Sequence, residues 1–132
     1  MTIELQALFW ATTILFLLLA VQGALVPVTQ GFGWGLGSRD QPRDMSVLQG
    51  RMKRTVANHI EGLVIFASLV LIAHLAGISS SITQTGAMVF VVARIAFAFL
   101  YVLGVPFLRS VVWGASVLGL LMIASAVIPA VI

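Results

Sequence analysis

LQALFWATTILFLLLAVQGALV, residues 5–26, contains no charged side chain and is followed by Pro27. A helix of about 22 residues is long enough to cross a hydrocarbon core of roughly 30 Å at 1.5 Å per residue. The stretch lacks the basic start and the short apolar run of a cleaved signal peptide, so we expect it to be retained. It predicts a helix that spans a membrane.

Three further apolar stretches follow along the chain. They cover approximately residues 60–78, 83–105 and 108–130. Because the connections after the second and third stretches are only a few residues long, neighbouring spans must run antiparallel. We therefore predict one domain over residues 1–132, an all-α membrane protein folded as an up-down bundle of four transmembrane helices. Residues of about 27–57 form its one long loop.

The composition agrees with a lipid environment. Of the 132 residues, 61% are hydrophobic and 8% are charged, and the mean hydropathy is +1.14. A soluble domain has about a quarter charged residues, because its surface faces water. The chain has no cysteine, which excludes disulfides, thiolate metal sites and lipidated cysteine anchors. We expect no bound metal.

The basic residues predict an orientation in the membrane. Five of the seven Lys and Arg residues lie in the long loop, and Arg109 lies at the turn between the last two spans. These two connections are on one side of the bundle, while the two termini and the remaining turn contain no Lys or Arg. The positive-inside rule places the basic side in the cytosol and both termini outside it. Such a cluster indicates membrane orientation and not nucleic-acid binding.

The long loop opens with the glycine-rich sequence GFGWGLG, residues 31–37. No Lys-Ser/Thr follows it and no strand precedes it, so it does not fit a phosphate-binding loop. We expect a flexible interfacial loop whose aromatic side chains dip into the headgroups. The following doublets, Arg39-Asp40 and Arg43-Asp44, predict a solvated turn in which neighbouring charges pair.

Four polar residues share one face of the helix that leads into the second span. Arg51, Arg54, Asn58 and Glu61 lie at about 0°, 300°, 340° and 280° around the axis, an arc of about 80°. They line a stripe at the cytosolic mouth of the bundle. In the alternative interpretation the two arginines reach anionic headgroups and Glu61 pairs locally.

A further charge lies inside the third span. Arg94 at that depth costs at least about 2.5 kcal/mol on insertion scales unless it has a partner. Glu61 is the only acid near the membrane interior on the same side, so we predict an ion pair between Glu61 and Arg94, which could be purely structural. Tyr101 follows Arg94 by seven residues, on nearly the same helix face. His59 and His74 are separated by about 22 Å of helix, so paired haem or metal ligation is not expected.

These residues resemble the motifs of the MAPEG superfamily, the membrane-associated proteins in eicosanoid and glutathione metabolism. The resemblance covers nearly the whole chain, and the short length is similar to that of bacterial microsomal glutathione transferase-like members. Two blocks carry it: Arg51-x-x-Arg54-x-x-x-Asn58-x-x-Glu61 running into GLVIFASLVLIAHL, and Arg94 followed by Tyr101, Gly104, Pro106 and Arg109-Ser110-Val-Val-Trp. The chain departs from eukaryotic relatives at Phe97, where those often have Tyr or His.

The resemblance implies a homotrimer in the bacterial inner membrane, with glutathione bound as co-substrate between subunits near the cytosolic side. It implies that Arg109 activates the thiol. The residues implied to bind glutathione are Arg51, Arg54, Asn58, Glu61, Arg94 and Tyr101. A lipophilic second substrate would then reach the site from the surrounding membrane lipids.

We therefore expect a glutathione-dependent transferase or peroxidase acting on lipophilic electrophiles. The alternative is a non-catalytic, lipid-binding scaffold of the same family. A small multidrug exporter fits less well, because such exporters need a titratable acid deep in a span, commonly the first. Residues 5–26 contain none.

Overall fold

The structure, a computed structural model, describes residues 1–130 and 132 and consists of helices joined by short connections. The helices are α1 (Ile3–Gln30), α2 (Phe32–Gly35), α3 (Val47–Leu75), α4 (Ser81–Leu103) and α5 (Pro106–Val127), followed by a 3₁₀ turn (Ile128–Ala130). Four of them are long and apolar enough to cross a membrane. The predicted all-α, four-helix membrane bundle is confirmed.

Local sequence signals set the helix ends. Ser46 and Gln49 form a reciprocal capping box at the start of α3, and Ser80 and Thr83 form another at the start of α4. Each box satisfies backbone N–H groups that have no partner within the helix. Gly104 ends α4 with φ 79°, a left-handed conformation that glycine adopts without a steric penalty.

Helices α1 and α3 are longer than the hydropathy pattern predicts. Helix α1 continues through Pro27 to Gln30, and α3 begins at Val47, so the long connection covers residues 31–46 and not 27–57. Pro27 removes only one backbone hydrogen bond, close to the helix end, where many carbonyls lack partners in any case. A span predicted from hydropathy ends at the first polar residues, although the backbone continues as a helix beyond them.

The connection begins with a short helix. Its glycine-rich start forms α2, which packs closely on α1: a Cβ atom on Gly35 would lie 2.6 Å from the Cα atom of Pro27. Among the described residues, the neighbouring charges do not pair with each other as expected. Arg39 donates to the Gly35 carbonyl and Arg43 to the Gln30 carbonyl, while Asp40 accepts from Ser38 Oγ. Carbonyls at helix ends are unpartnered acceptors, and they hold the arginines in place of the adjacent acids.

The bundle core is formed by side chains of α1, α3, α4 and α5, with Ala7 and Ala11 contributed by α1. Helices α4 and α5 approach so closely that a Cβ atom on Gly86 would lie 2.8 Å from the Gly119 carbonyl oxygen. Phe66 of α3 stacks on Phe90 of α4 with ring centres 4.1 Å apart. We call the end with residues 31–46 and the α4–α5 turn the loop end. The opposite end, with the N-terminus and the α3–α4 turn, is the N-terminal end.

Candidate functional site

Three of the predicted site residues meet at the loop end, each from a different helix. Arg54 of α3 donates from Nε to the hydroxyl of Tyr101 of α4 at 3.1 Å. The guanidinium carbon of Arg109, on α5, lies 4.6 Å from the centre of the same ring. Two cations therefore contact one phenol. The Arg109 contact is with a ring and not with an oxygen, so its N–H donors can still bind an anion.

Arg51, also predicted to bind glutathione, has a different environment. Its Nη1 donates to the carbonyl of Val102 at 3.3 Å, in the last turn of α4. Its guanidinium fills the space beside Gly104, where an added Cβ atom would lie 2.5 Å from the Arg51 Cζ atom. Arg51 thus caps the carboxyl end of α4. Gly104 leaves room for the Arg51 guanidinium. The sequence analysis did not assign this role, although the glycine between Tyr101 and Pro106 is visible in the sequence.

Arg94 is buried deeper in the bundle, with 1% of its surface exposed. Its Nη2 donates to both oxygens of Asn58, the backbone carbonyl at 2.6 Å and Oδ1 at 2.9 Å. Within the described residues these bonds replace the predicted ion pair with Glu61, and Arg94 Nε is buried without a partner. Asn58 precedes Glu61 by nearly one turn and offers two acceptors at the level of the guanidinium.

A cavity of about 180 Å³ lies next to Arg94, between α3, α4 and α5. Asn58, Glu61 and Arg94 all line it, so the carboxylate faces the same space as the guanidinium without bonding to it. Gly62 makes room for this arrangement, since a Cβ atom there would lie 3.4 Å from the Arg94 Cζ atom. Gly62 is a second position that the sequence analysis did not assign.

Phe97 connects the two parts of the site. Its ring meets that of Tyr101 edge to face, with centres 5.3 Å apart, and the Arg94 guanidinium carbon lies 5.0 Å from the Phe97 centre. Arg94, Phe97, Tyr101 and Arg109 therefore form a continuous column in which two contacting aromatic rings lie between two cations.

The two histidines lie outside this column. His59 is buried and its Nε2 is 2.9 Å from the Ala11 carbonyl oxygen, which joins α3 to α1. His74 is near the other end of α3. In the part of the chain that the structure describes, no group of three or more His, Cys, Asp or Glu side chains is placed to hold a metal ion.

The site therefore combines an excess of guanidinium donors with one carboxylate, at the mouth of a membrane-length bundle. Searches of curated proteins and of solved structures find no significant match to this chain. The model of the MAPEG family, however, matches residues 7–128, nearly the whole chain and every residue of the site. The chain belongs to the MAPEG family.

Proposed function

We propose that the protein is a glutathione-dependent transferase or peroxidase that attacks lipophilic electrophiles within the membrane. The observation that carries this proposal is the placement of both Arg54 and Arg109 in contact with Tyr101. Membership of the MAPEG family supports a membrane function in glutathione or eicosanoid metabolism. The geometry supports an anionic ligand at the loop end.

Glutathione has two carboxylates, one ammonium group, two amides and a thiol. Arg54 is exposed next to Tyr101 and can bind a carboxylate through paired N–H donors. Glu61, facing the cavity, suits the ammonium group. Both oxygens of Asn58 accept from Arg94, so the side-chain NH₂ group of Asn58 is directed away from Arg94 and can donate to a peptide carbonyl. Arg94 then acts as a positioning residue.

In the proposed reaction Arg109 lies near the sulfur. A nearby cation favours the charged thiolate, so it lowers the pKa of the bound thiol and releases the proton to solvent. The sulfur then forms a bond to the electrophilic carbon as the leaving group departs with its electron pair. Tyr101 accepts a hydrogen bond from Arg54 Nε, so its own O–H proton is free to donate to the sulfur.

We further propose that the active form is a homotrimer in the bacterial inner membrane, with each glutathione between two subunits. In the single chain, Arg54 and Glu61 are exposed on a membrane-length helix. Charged side chains facing lipid are costly, so a second copy covering this face lowers their free energy.

The orientation has its own test. The basic loop end belongs in the cytosol by the positive-inside rule, which places both termini on the opposite side. A reporter that is active only in the cytosol, fused after residue 132, should give no signal, whereas the same reporter inserted after Gln41 should be active. The reverse pattern would place the proposed site on the wrong side of the membrane.

The activation step is tested by stopped-flow absorbance at the thiolate band when glutathione is mixed with detergent-purified protein. The wild type should give a thiolate signal, and Arg109→Leu should reduce turnover on the order of a hundredfold, comparable to losing one preorganised stabilising group. Arg109→Lys is the matched control, because it keeps the charge and loses only the planar fork. If Arg109→Leu kept full turnover and an unchanged thiol pKa, the proposed role of Arg109 would be wrong.

One observation favours a second candidate, a non-catalytic lipid-binding scaffold. A groove of about 420 Å³ between α1 and α4 is lined only by apolar side chains, among them Leu17, Ile95 and Phe99. In an enzyme the groove would hold the apolar part of the second substrate. In a scaffold it would hold the ligand itself. A wild-type protein that neither binds glutathione nor gives a thiolate signal would favour the scaffold.

A further inference from the structure

A second polar cavity lies at the loop end, on the other side of α3 from Tyr101. Its volume is about 180 Å³, and its walls come from the last turns of α1, from α2, from the connection and from the start of α3. The α3 residues in its wall, Gln49, Met52 and Lys53, lie at about 160°, 100° and 200° from Arg51 around the helix axis. The glutathione residues lie between about 280° and 360°, so the cavity is separate from the proposed active site.

The cavity wall is positively charged. Arg39, Arg43 and Lys53 line it, and none of its described lining residues is an acid. The guanidinium carbons of Arg43 and Arg39 lie 5.3 Å and 5.9 Å from the centre of the Trp34 ring. Two guanidinium groups beside one indole and a third cation, Lys53, in the same wall, without a carboxylate among the described lining residues, create a local field that attracts an anion.

The backbone holds two of these cations in place without neutralising them. Arg39 donates from Nε and Nη2 to the Gly35 carbonyl at 2.9 and 2.6 Å, and Arg43 donates from Nη1 to the Gln30 carbonyl at 2.6 Å. Arg39 adopts φ 58°, a left-handed conformation that non-glycine residues seldom take. Strained backbone of this kind tends to occur at functional sites. Because carbonyls are uncharged, the positive charge of the wall remains.

The amides in the cavity wall bond to each other and to the backbone. Gln30 Nε2 donates to the Asp44 carbonyl at 2.7 Å and to Gln49 Oε1 at 3.1 Å, and Gln49 Oε1 also accepts from the Ser46 N–H. The Gln30 Nε2 and Gln49 Oε1 atoms thus have partners within the protein. Within the described chain, the Gln22 Oε1 atom is buried without a hydrogen bond, out of reach of a ligand in the cavity. The cations of the wall are therefore the groups that select the ligand.

The rest of the wall is apolar and comes from membrane-length helices. Leu25 and Val26 of α1 and Met52 of α3 contribute to it. A small soluble anion would leave this apolar surface unused, whereas an amphiphile would cover it. Tryptophan and basic residues next to a membrane span are typical of the headgroup level.

We infer that this cavity binds the headgroup of an anionic phospholipid. The phosphate lies among Arg39, Arg43 and Lys53, and the start of the acyl chains lies along Leu25 and Val26. A volume of about 180 Å³ is many times the minimum of roughly 10–15 Å³ that one water molecule needs, so a phosphate with a small headgroup has room.

The test uses the full chain in a neutral detergent, titrated with dioleoylphosphatidylglycerol or dioleoylphosphatidylcholine, with binding followed by native mass spectrometry. Dioleoylphosphatidylglycerol should bind at lower concentration than dioleoylphosphatidylcholine, because only the first of these lipids is anionic. Arg43→Gln should weaken its binding about tenfold, as expected for loss of a charge-assisted contact. The matched control is Gln41→Glu, which changes the net charge by the same amount in the same connection. Only the backbone carbonyl of Gln41 is used, as the acceptor of the Trp34 Nε1 hydrogen bond.

Binding that falls equally in Arg43→Gln and Gln41→Glu would show general charge attraction and overturn the site. If Arg43→Gln does not fold, Lys53→Gln gives the same comparison, since Lys53 is exposed. Adding inorganic phosphate or glutathione tests whether the cavity binds one of these anions in place of the lipid. If inorganic phosphate displaced the bound lipid at millimolar concentration, or if glutathione displaced it, the lipid assignment would be wrong. Retention of the lipid under both additions supports it.

Discussion

Each half of the bundle contains a buried charged side chain, but the two charges are satisfied to different degrees. At the N-terminal end, Glu4 is 3% exposed and accepts hydrogen bonds from Ser79 Oγ at 3.0 Å and from Thr83 Oγ1 at 2.5 Å. In the half nearer the loop end, Arg94 donates to Asn58 and still has a buried Nε without a partner among the described residues. The protein supplies hydrogen-bond donors for the Glu4 carboxylate, whereas the Arg94 guanidinium keeps one buried donor without an acceptor.

The surroundings extend this difference. The hydroxyls around Glu4 come from the α3–α4 turn and from the first turn of α4, so one carboxylate joins three elements and lies near the amino end of a helix. Around Tyr101, by contrast, Arg54 and Arg109 are present with more N–H donors than the adjacent side chains have acceptors. A polar group with all its partners in the chain stabilises the fold, whereas surplus donors next to a cavity indicate a ligand.

The largest expected effect tests the structural end. Glu4→Leu should lower the free energy of unfolding by about 3 kcal/mol, because it removes charge-assisted hydrogen bonds and a favourable interaction with the start of α4. Glutathione KM and kcat of the folded fraction should not change. Thermal unfolding in detergent and steady-state kinetics measure the two quantities.

The matched control for this change is Glu4→Gln, which keeps an oxygen acceptor for Ser79 and Thr83 and should cost less than about 1 kcal/mol. If Glu4→Leu instead altered the glutathione KM without changing stability, the N-terminal end would take part in function. The contrast between the two ends would then be lost.

A smaller effect is expected for the pair at the loop end. Asn58→Leu removes the Oδ1 acceptor of a buried guanidinium and should lower stability by about 2 kcal/mol. Replacing Arg94 by Leu in that background should recover part of the loss, since the unpaired charge is gone. Glu61→Gln should change stability by less than about 1 kcal/mol, because no hydrogen bond joins Glu61 to Arg94 in the described structure.

This double-mutant cycle also decides between the sequence-based pairing and the observed one. A strong coupling between Glu61→Gln and Arg94→Leu, together with no coupling between Asn58 and Arg94, would support the predicted ion pair and contradict the observed pairing. Denaturant or thermal unfolding of the single and double variants gives both coupling energies.

The sequence was sufficient for the fold because each span is long and predominantly apolar, and hydropathy sums over many residues. It was also sufficient for the stripe of Arg51, Arg54, Asn58 and Glu61, because the spacing along one helix fixes which residues share a face. Helical periodicity does not fix how that helix is rotated against its neighbours. For this reason the partner of Arg94 was assigned to Glu61 when Asn58 is the acceptor.

The same limit explains what the sequence analysis missed. Glu4 and Thr83 are 79 residues apart, and no local pattern indicates that they meet. The path of the connection depends on close packing of Gly35 on Pro27, which hydropathy does not describe. Arg39 and Arg43 pair with helix-end carbonyls, which the sequence does not distinguish from the neighbouring acids.

The smallest expected effect separates two arginines that the sequence assigned to the same role. Arg54 is exposed beside Tyr101, whereas Arg51 caps α4 through the Val102 carbonyl. Arg54→Ala should raise the glutathione KM about tenfold with little change in kcat, since a carboxylate that does not react is bound equally in the ground and transition states. Arg51→Ala should instead lower the free energy of unfolding by about 1 kcal/mol and change KM less than about threefold. Kinetics at varied glutathione and thermal unfolding of both variants give the comparison, with Arg54→Lys as the charge-conserving control. An equal rise in KM for both variants would contradict this division of roles and mean that Arg51 contributes to glutathione binding as much as Arg54 does.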